Sequence, residues 1–262
     1  MDKELRTTGL VVRETSLGEA DKILTLICAG VGRINVSAKG VRSLRSPHMA
    51  ATQIFAYSSF ILRRGKRYYY IAESELIEPF FGLRSDLDRL SLAAYVADVL
   101  CDVMPEELVD DDILRLGLNT YFAISEKKDM DLRKIKAAFE FKIADLAGFC
   151  PDLSCCRRCG ITDGVGMNLD VMNGGLVCSD CKRAAALEES AEDTGTAVIQ
   201  LPLTDHVLAV LRYIMSVDEK RFLSFRIPEE ELPGLAFVCE RYLLDHLGHG
   251  FHSLDFYKSI LV

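Results

Sequence analysis

Apolar and polar positions alternate through the first third of the chain in the manner of strands. Thr7 to Leu17 is β-branched and apolar, Lys22 to Cys28 is a second such run, and Gly30-Val31-Gly32 marks a turn. From Arg33 to Lys39 the alternation is strict, with Ile34, Val36 and Ala38 on one face and Arg33, Asn35, Ser37 and Lys39 on the other. That period of two belongs to a half-buried strand. Gly40 to His48 carries glycine, serines and proline and reads as a loop. Gln53 to Leu62 and Tyr68 to Ile77 read as a hairpin across Arg63-Arg64-Gly65-Lys66-Arg67. Five strands in so short a stretch fit a small closed or nearly closed barrel of OB-like size. An SH3-like barrel would be as short, and strand patterning does not separate the two.

From Leu83 the period changes. Leu83, Leu87, Leu90, Ala94, Ala97, Cys101 and Met104 recur at helical spacing, and Pro105 closes the run. Asp112 to Ser125 predicts a second helix, and Leu132, Ile135, Phe139, Ile143 and Leu146 a third, ended by Gly148 and Pro151. Cys150 to Lys182 is rich in glycine and cysteine without strong periodicity, and Ala184 to Ala197 reads as an acidic linker. Thr204 is placed to cap a helix carrying Val207, Leu211 and Ile214, and a last helix from Leu235 to Leu247 stops at Gly248. No internal repeat is apparent. The fold class expected is α+β: a five-stranded OB-like barrel (1–80), a helical domain in two parts (81–149 and 184–262, the second including the linker) and a small cysteine insert (150–183) between them.

Composition sharpens that division. Of the 262 residues 49% are hydrophobic, enough for a substantial core, and no run approaches the ~18 to 20 consecutive apolar residues of a membrane span. The polar start, Met1-Asp2-Lys3-Glu4, gives no expectation of a signal peptide. The net charge is −8, yet the first 80 residues carry twelve Lys and Arg against eight Asp and Glu, and the remainder nineteen against thirty-one. Between Asp21 and Glu73 there are nine basic residues and no acidic one. Such asymmetry fits one region facing phosphates and another facing something else.

The cysteines supply the most specific local pattern. Cys156, Cys159, Cys178 and Cys181 form C-x2-C-x18-C-x2-C. A two-residue gap lets both thiolates of a knuckle bend toward one point about 2.3 Å away, and two knuckles make a tetrahedral S4 site suited to Zn²⁺. Four protein ligands leave no open position, so the site reads as structural, contributing on the order of 10 kcal/mol to local folding. Buried unligated cysteines, or a redox or iron–sulfur role, are the alternatives. Cys155 adjoins the first knuckle, where C-x3-C would be a poorer chelate, Cys150 reads as a core residue at a helix end, and Cys28, Cys101 and Cys239 as packing residues. Nine cysteines, several in C-x-x-C pairs, favour a reducing cytosol over a disulfide framework.

The basic window combines what nucleic-acid binding needs, cations for phosphates and aromatic faces for bases. Its cations are Arg33, Lys39, Arg42, Arg45, Arg63, Arg64, Lys66 and Arg67, and its aromatics Phe55, Tyr57, Phe60, Tyr68, Tyr69 and Tyr70, about half of which must face the core. No P-loop, G-x-S-x-G, H-E-x-x-H, G-x-G-x-x-G or zinc-deaminase pattern occurs. His246, His249 and His252 are spaced for a metal, but Gly248 and Gly250 break the helix that would align them. The acidic run Glu106, Glu107, Asp110, Asp111 and Asp112 suits a helix N-terminus rather than catalysis.

Several blocks together resemble the bacterial RecO family of recombination mediators: "GLVVRETSLGEADKILTLI", "GRINVSAKGVRSLRS", "LRRGKRYYYIAESELIEPF", "LAGFCPDLSCCRRCG" followed by "NGGLVCSDC", and the terminal "LLDHLGHGFHSLDFYKSI". The resemblance spans essentially the whole chain. It implies an N-terminal OB fold, a helical C-terminal domain with a zinc insert, binding to single- and double-stranded DNA, and annealing of complementary strands without enzymatic activity. It also implies a cytoplasmic, nucleoid-associated protein that works with RecR to load RecA onto single strands coated by SSB. SSB's acidic tail is bound through the helical domain in some relatives, for which Arg133, Lys134 and Lys136 are candidates against the plainer reading of a solvated helix face. Two other classes remain open: an RNA-binding OB and zinc-ribbon protein, and a protein–protein adaptor.

Overall fold

The computed structural model describes residues 4–106, 109–162, 166–189 and 199–261. The chain divides into two compact units, Met1–Leu132 with Phe251–Val262, and Arg133–Gly250.

The first unit is built on a closed barrel with strand order β1-β2-β3-β5-β4: β1 Glu4–Leu17, β2 Asp21–Cys28, β3 Gly32–Ala38, β4 Tyr57–Arg64 and β5 Tyr69–Glu78. β1 is long enough to serve two partners. Its first half pairs with β4 and its second with β2, and the register slips between Val11 and Arg13 where it bends from one to the other. Gly9 permits this crowding, since a Cβ there would lie 2.7 Å from the Cys28 sulfur. The barrel closes through a short parallel pairing of β3 with β5, Val36 opposite Tyr69 and Ser37 opposite Tyr70. Val11, Leu24, Leu26, Ile34, Val36, Ala38, Phe60 and Leu62 fill the interior, so β3 buries the face that its alternation singled out.

One strand is shorter than its sequence suggests. Gln53 to Ala56 is not part of β4, because the chain turns repeatedly between β3 and β4 and Phe55 adopts φ 68°. Phe55 is buried all the same, with its ring edge-on to Tyr121 at 5.4 Å, so its apolarity reflects a helix contact rather than strand membership.

Three helices share this unit: α1 Leu87–Val103, α2 Asp111–Glu126 and, from the chain's end, α7 His252–Ile260. α1 starts at Leu87 because Asp86 caps it by accepting the Arg89 amide, and Leu83 belongs to a separate 3-10 turn, Phe81–Arg84. Asp110 caps α2 by accepting the amides of Asp112 and Ile113, which gives part of the acidic run its place. Glu107 of that run lies outside the described residues.

The second unit holds α3 Leu132–Leu146, a four-stranded sheet in the order β6-β8-β7-β9, α4 Ser179–Glu189, α5 Asp205–Ser216 and α6 Leu232–Leu247. The strands are β6 Asp152–Cys156, β7 Met167–Asp170, β8 Gly175–Cys178 and β9 Gln200–Pro202. Much of the expected linker is therefore helical: α4 leaves the second cysteine knuckle and continues through Ala184, Ala185, Ala186 and Leu187, residues of high helix propensity. The rest of that linker lies outside the described residues. Thr204 caps α5 by accepting the Val207 amide, and Gly248, at φ 76°, ends α6.

The solvated-face reading of α3 does not hold at its lysines. Lys136 is 4% exposed, with its Nζ 2.7 Å from both Glu140 Oε1 and Glu240 Oε2. Lys134 donates to the Phe225 carbonyl at 2.7 Å and lies 4.5 Å from that residue's ring centre. These cations hold the helical unit together from inside. No helix among the described residues is long and apolar enough to cross a membrane.

Candidate nucleic-acid interface and metal centre

Three connections meet at one end of the barrel: the β1–β2 turn, the segment leaving β3, and the β4–β5 hairpin. Register brings them there. Lys22 at the start of β2 pairs with Ala38 at the end of β3, and Ser37 pairs with Tyr70 at the start of β5, which in turn faces Arg63 near the end of β4. Hydrogen bonds then fix the β1–β2 turn and the segment leaving β3 to each other. Gly40 donates its amide to Asp21 Oδ1 at 2.8 Å, the Arg42 amide to the Ala20 carbonyl at 3.1 Å, and the Arg42 guanidinium to the Gly18 carbonyl at 3.0 Å.

Three consecutive tyrosines at the hairpin base each meet a cation. Arg67 sits 5.3 Å from the ring centre of Tyr68, Arg64 6.0 Å from Tyr69, and Lys39 5.5 Å from Tyr70. Such spacing is attractive through the ring quadrupole. Gly65 makes the fold-back possible, since a side chain there would run into the Tyr70 ring and the Tyr68 carbonyl. Tyr70 is the exposed member of the trio at 38%, whereas Tyr69 packs partly against the barrel core. Phe55 and Phe60 are buried, and Tyr57 gives its hydroxyl to Thr8 at 2.8 Å.

Of the eight cations singled out from sequence, seven lie in these connections or at the strand end that leads into them, and are exposed: Lys39, Arg42, Arg45, Arg63, Arg64, Lys66 and Arg67. Arg63 also lies 3.4 Å from Glu4, a pair open enough to water to be weak. Arg33 is separate. It stands at the start of β3, six residues from Lys39 and so roughly 20 Å away along the strand, and its guanidinium donates to the Cys101 carbonyl near the end of α1. Further along β5 the charge reverses. Glu73 and Glu75, with Arg6, Thr8, Ser59 and Ile61, line an open groove of about 630 Å³.

Sequence reasoning did not pair Lys39 with Tyr70, because a parallel contact between β3 and β5 leaves no local signal. It also passed over Leu44, which stands between the exposed Arg42 and Arg45 at 88% exposure. A lone apolar residue in a basic loop was a legible signal.

In the second unit the four cysteines of the double knuckle converge. Cys156 ends β6, Cys159 follows it in a tight turn, Cys178 ends β8, and Cys181 lies in the first turn of α4. Their sulfurs all lie within 4.8 Å of one another, and Cys159 and Cys178 are 3.7 Å apart. A tetrahedral ion with sulfurs at about 2.3 Å would need S···S edges of about 3.8 Å, which the Cys159–Cys178 pair already meets and the rest of the cluster approaches. Gly160, at φ 76°, returns its amide to the Cys156 carbonyl at 2.8 Å to close the first knuckle.

The thiol acidities fit the same use. Burial works against a thiolate at Cys156, but amides of Cys178, Cys159 and Arg158 aimed at its sulfur outweigh burial and bring it down to about 6. Cys181 is pushed up to about 12, chiefly by sharing hydrogen bonds with Cys178 and Cys159. Four sulfurs this close cannot all ionise without a cation, and a dication removes that conflict. The four cysteines can therefore hold a metal ion. Cys155 is half-buried and stands outside the cluster. Cys150 is exposed rather than part of the core, because α3 ends at Leu146 and the chain has left the helix before reaching it. Cys28, Cys101 and Cys239 are buried packing residues as expected.

Comparison with known proteins places both parts of the chain in one family. Residues 1–80 match the family described as "Recombination protein O N terminal", and residues 84–255 match "Recombination protein O C terminal". A protein named DNA repair protein RecO from Acetivibrio thermocellus is 33% identical over 98% of this chain and 97% of its own length. One of the same name from Pelotomaculum thermopropionicum is 34% identical over 97% of this chain and 93% of its own, and one from Alkaliphilus metalliredigens 29% identical over 98% and 99%. With both halves matched and the relatives covered nearly end to end, the chain belongs to the RecO family of DNA repair proteins.

Proposed function

We propose that this protein is a non-catalytic DNA-binding mediator that anneals complementary strands and, with RecR, helps load RecA onto single-stranded DNA coated by SSB. The supporting observation is the meeting of three basic connections at one barrel end, where Lys39, Arg64 and Arg67 each sit against a tyrosine. Cations there neutralise phosphates, and rings held by cations offer faces to bases. The DNA track comprises Lys39, Arg42, Arg45, Arg63, Arg64, Lys66 and Arg67. Arg33 serves the α1 terminus instead, as its bond to the Cys101 carbonyl indicates. Annealing needs repulsion between two phosphate backbones to be screened, which a cationic surface does without nucleotide hydrolysis.

The metal is Zn²⁺ in this reading, held by Cys156, Cys159, Cys178 and Cys181. When bound it would supply structural cross-linking, with no coordination position left for chemistry. The DNA domain is taken as residues 1–80, with the cysteine insert and the helices around it serving partners such as the SSB tail. Consistent with its family, the protein works in the cytoplasm at the nucleoid.

The test is a strand-annealing assay with and without SSB, paired with metal analysis of the same preparation. The expected result is faster annealing that persists on SSB-coated strands, with one zinc per chain. If six phosphates are neutralised on a single strand, log K should fall against log salt with a slope of about −4. Preference for RNA over DNA of one sequence would favour an RNA-binding protein. Absence of binding at low salt would leave a protein–protein adaptor.

A further inference from the structure

We infer that Leu44 is a wedge that enters between adjacent bases of a bound single strand and unstacks them; this rests on the DNA-binding reading above. Leu44 is the most exposed large hydrophobic residue among the described residues, at 88%. Single exposed apolar residues are ordinary on protein surfaces, and what distinguishes this one is its setting. The segment that carries it is braced. The Ser43 amide donates to the Gly40 carbonyl at 3.2 Å and the Ser46 amide to the Ser43 carbonyl at 2.9 Å. Arg45 donates its amide to the Ser43 hydroxyl at 3.3 Å, and His48 its amide to the Ser46 hydroxyl at 3.3 Å. Arg42 pins the start of the segment to the β1–β2 turn through both its amide and its guanidinium. A braced tip presents the Leu44 side chain at little entropic cost on binding.

The flanking charges select the occupant. Leu44 has the exposed Arg42 on one side and Arg45 on the other, so whatever covers it is polyanionic on both sides and apolar between. A nucleic-acid strand has that pattern, since its phosphates alternate with flat apolar bases. Leucine is among the residues that proteins insert between base steps. A strand held with its bases apart is ready to pair with a complement, which links the wedge to annealing.

The experiment uses the full-length protein and a single-stranded oligonucleotide carrying 2-aminopurine, whose fluorescence rises when it is unstacked. The expected result is a rise on binding by the native protein, its loss with Leu44→Ser, and its retention with Leu44→Met. Leu44 is 88% exposed, so thermal unfolding should be unchanged. Leu44→Ser should weaken binding of the oligonucleotide by less than ~3-fold, because phosphate contacts carry most of the affinity. An equal fluorescence rise with Leu44→Ser, or binding by the native protein without any rise, overturns the wedge and leaves DNA binding standing. Failure of the native protein to bind the oligonucleotide in dilute buffer overturns both.

Discussion

The barrel end and the cysteine centre gather their residues in opposite ways. At the barrel end, residues far apart in sequence are gathered by strand register, and each contributes one separable piece: a charge, a ring face or a turn. At the cysteine centre four residues within one short segment meet at a single point, and the contribution of each depends on the other three. The first arrangement should therefore degrade gradually under substitution and the second all at once. Burial reinforces the contrast. The cations of the barrel end are exposed, whereas Cys156 and Cys178 are buried in the sheet they help to close.

The sharpest way to break the comparison is to remove one thiolate. Cys156→Ser, or treatment with a chelator, is expected to cost on the order of 10 kcal/mol of local folding free energy. Hydrogen exchange should show amides of β6, β7 and β8 losing protection while those of β1 to β5 keep theirs. Comparable loss in the barrel strands would mean that the two regions fold as one. Next in size is the buried network of α3. Lys136→Met leaves Glu140 and Glu240 without their shared cation and should cost about 3–5 kcal/mol in denaturant unfolding. Its pH dependence has a definite sign. Burial alone would depress the Lys136 ammonium, but Glu140 and Glu240 outweigh it and hold it above its ordinary value of 10.5. The contribution is therefore complete below that value and drains only as pH rises through the folded-state value. Loss of the Lys136 proton in the native protein below that value, followed by NMR, would contradict this.

How far the sequence foretold each region follows from the range of the forces involved. The cysteine centre was legible because its chelate is local: C-x-x-C spacing already fixes where two sulfurs can meet. The interior of β3 was legible because period-two alternation is local too. Phe55 misled because burial against Tyr121 looks, in one dimension, the same as burial within a strand. Lys136 misled because a lysine on a helix is ordinarily solvated, and although Glu140 lies one turn away, the second carboxylate that completes its buried pairing, Glu240, is far along the chain. The seven cations could be named but not placed. Their meeting depends on Ser37 pairing with Tyr70, a parallel contact between strands separated by an entire hairpin arm.

The remaining predictions bear on the barrel end, where effects should be graded. Arg42→Glu with Arg45→Glu should weaken single-strand binding roughly ten-fold or more near physiological salt and make the salt slope shallower by about 1.4, at about 0.7 for each phosphate no longer neutralised. Far-UV circular dichroism should not change, since both residues lie in a turn segment outside the strands and helices. Unaltered affinity would remove the loop from the track. A last pair of variants separates ring from charge. Tyr70→Ala removes a stacking face and should cost about 1–3 kcal/mol of binding while leaving the salt slope alone. Lys39→Gln, at the partner 5.5 Å away, should instead reduce the slope by about 0.7 with a modest loss of affinity. If both variants changed the slope equally, Tyr70 would act only by positioning Lys39. The barrel end would then be a purely electrostatic surface, without a base platform of its own.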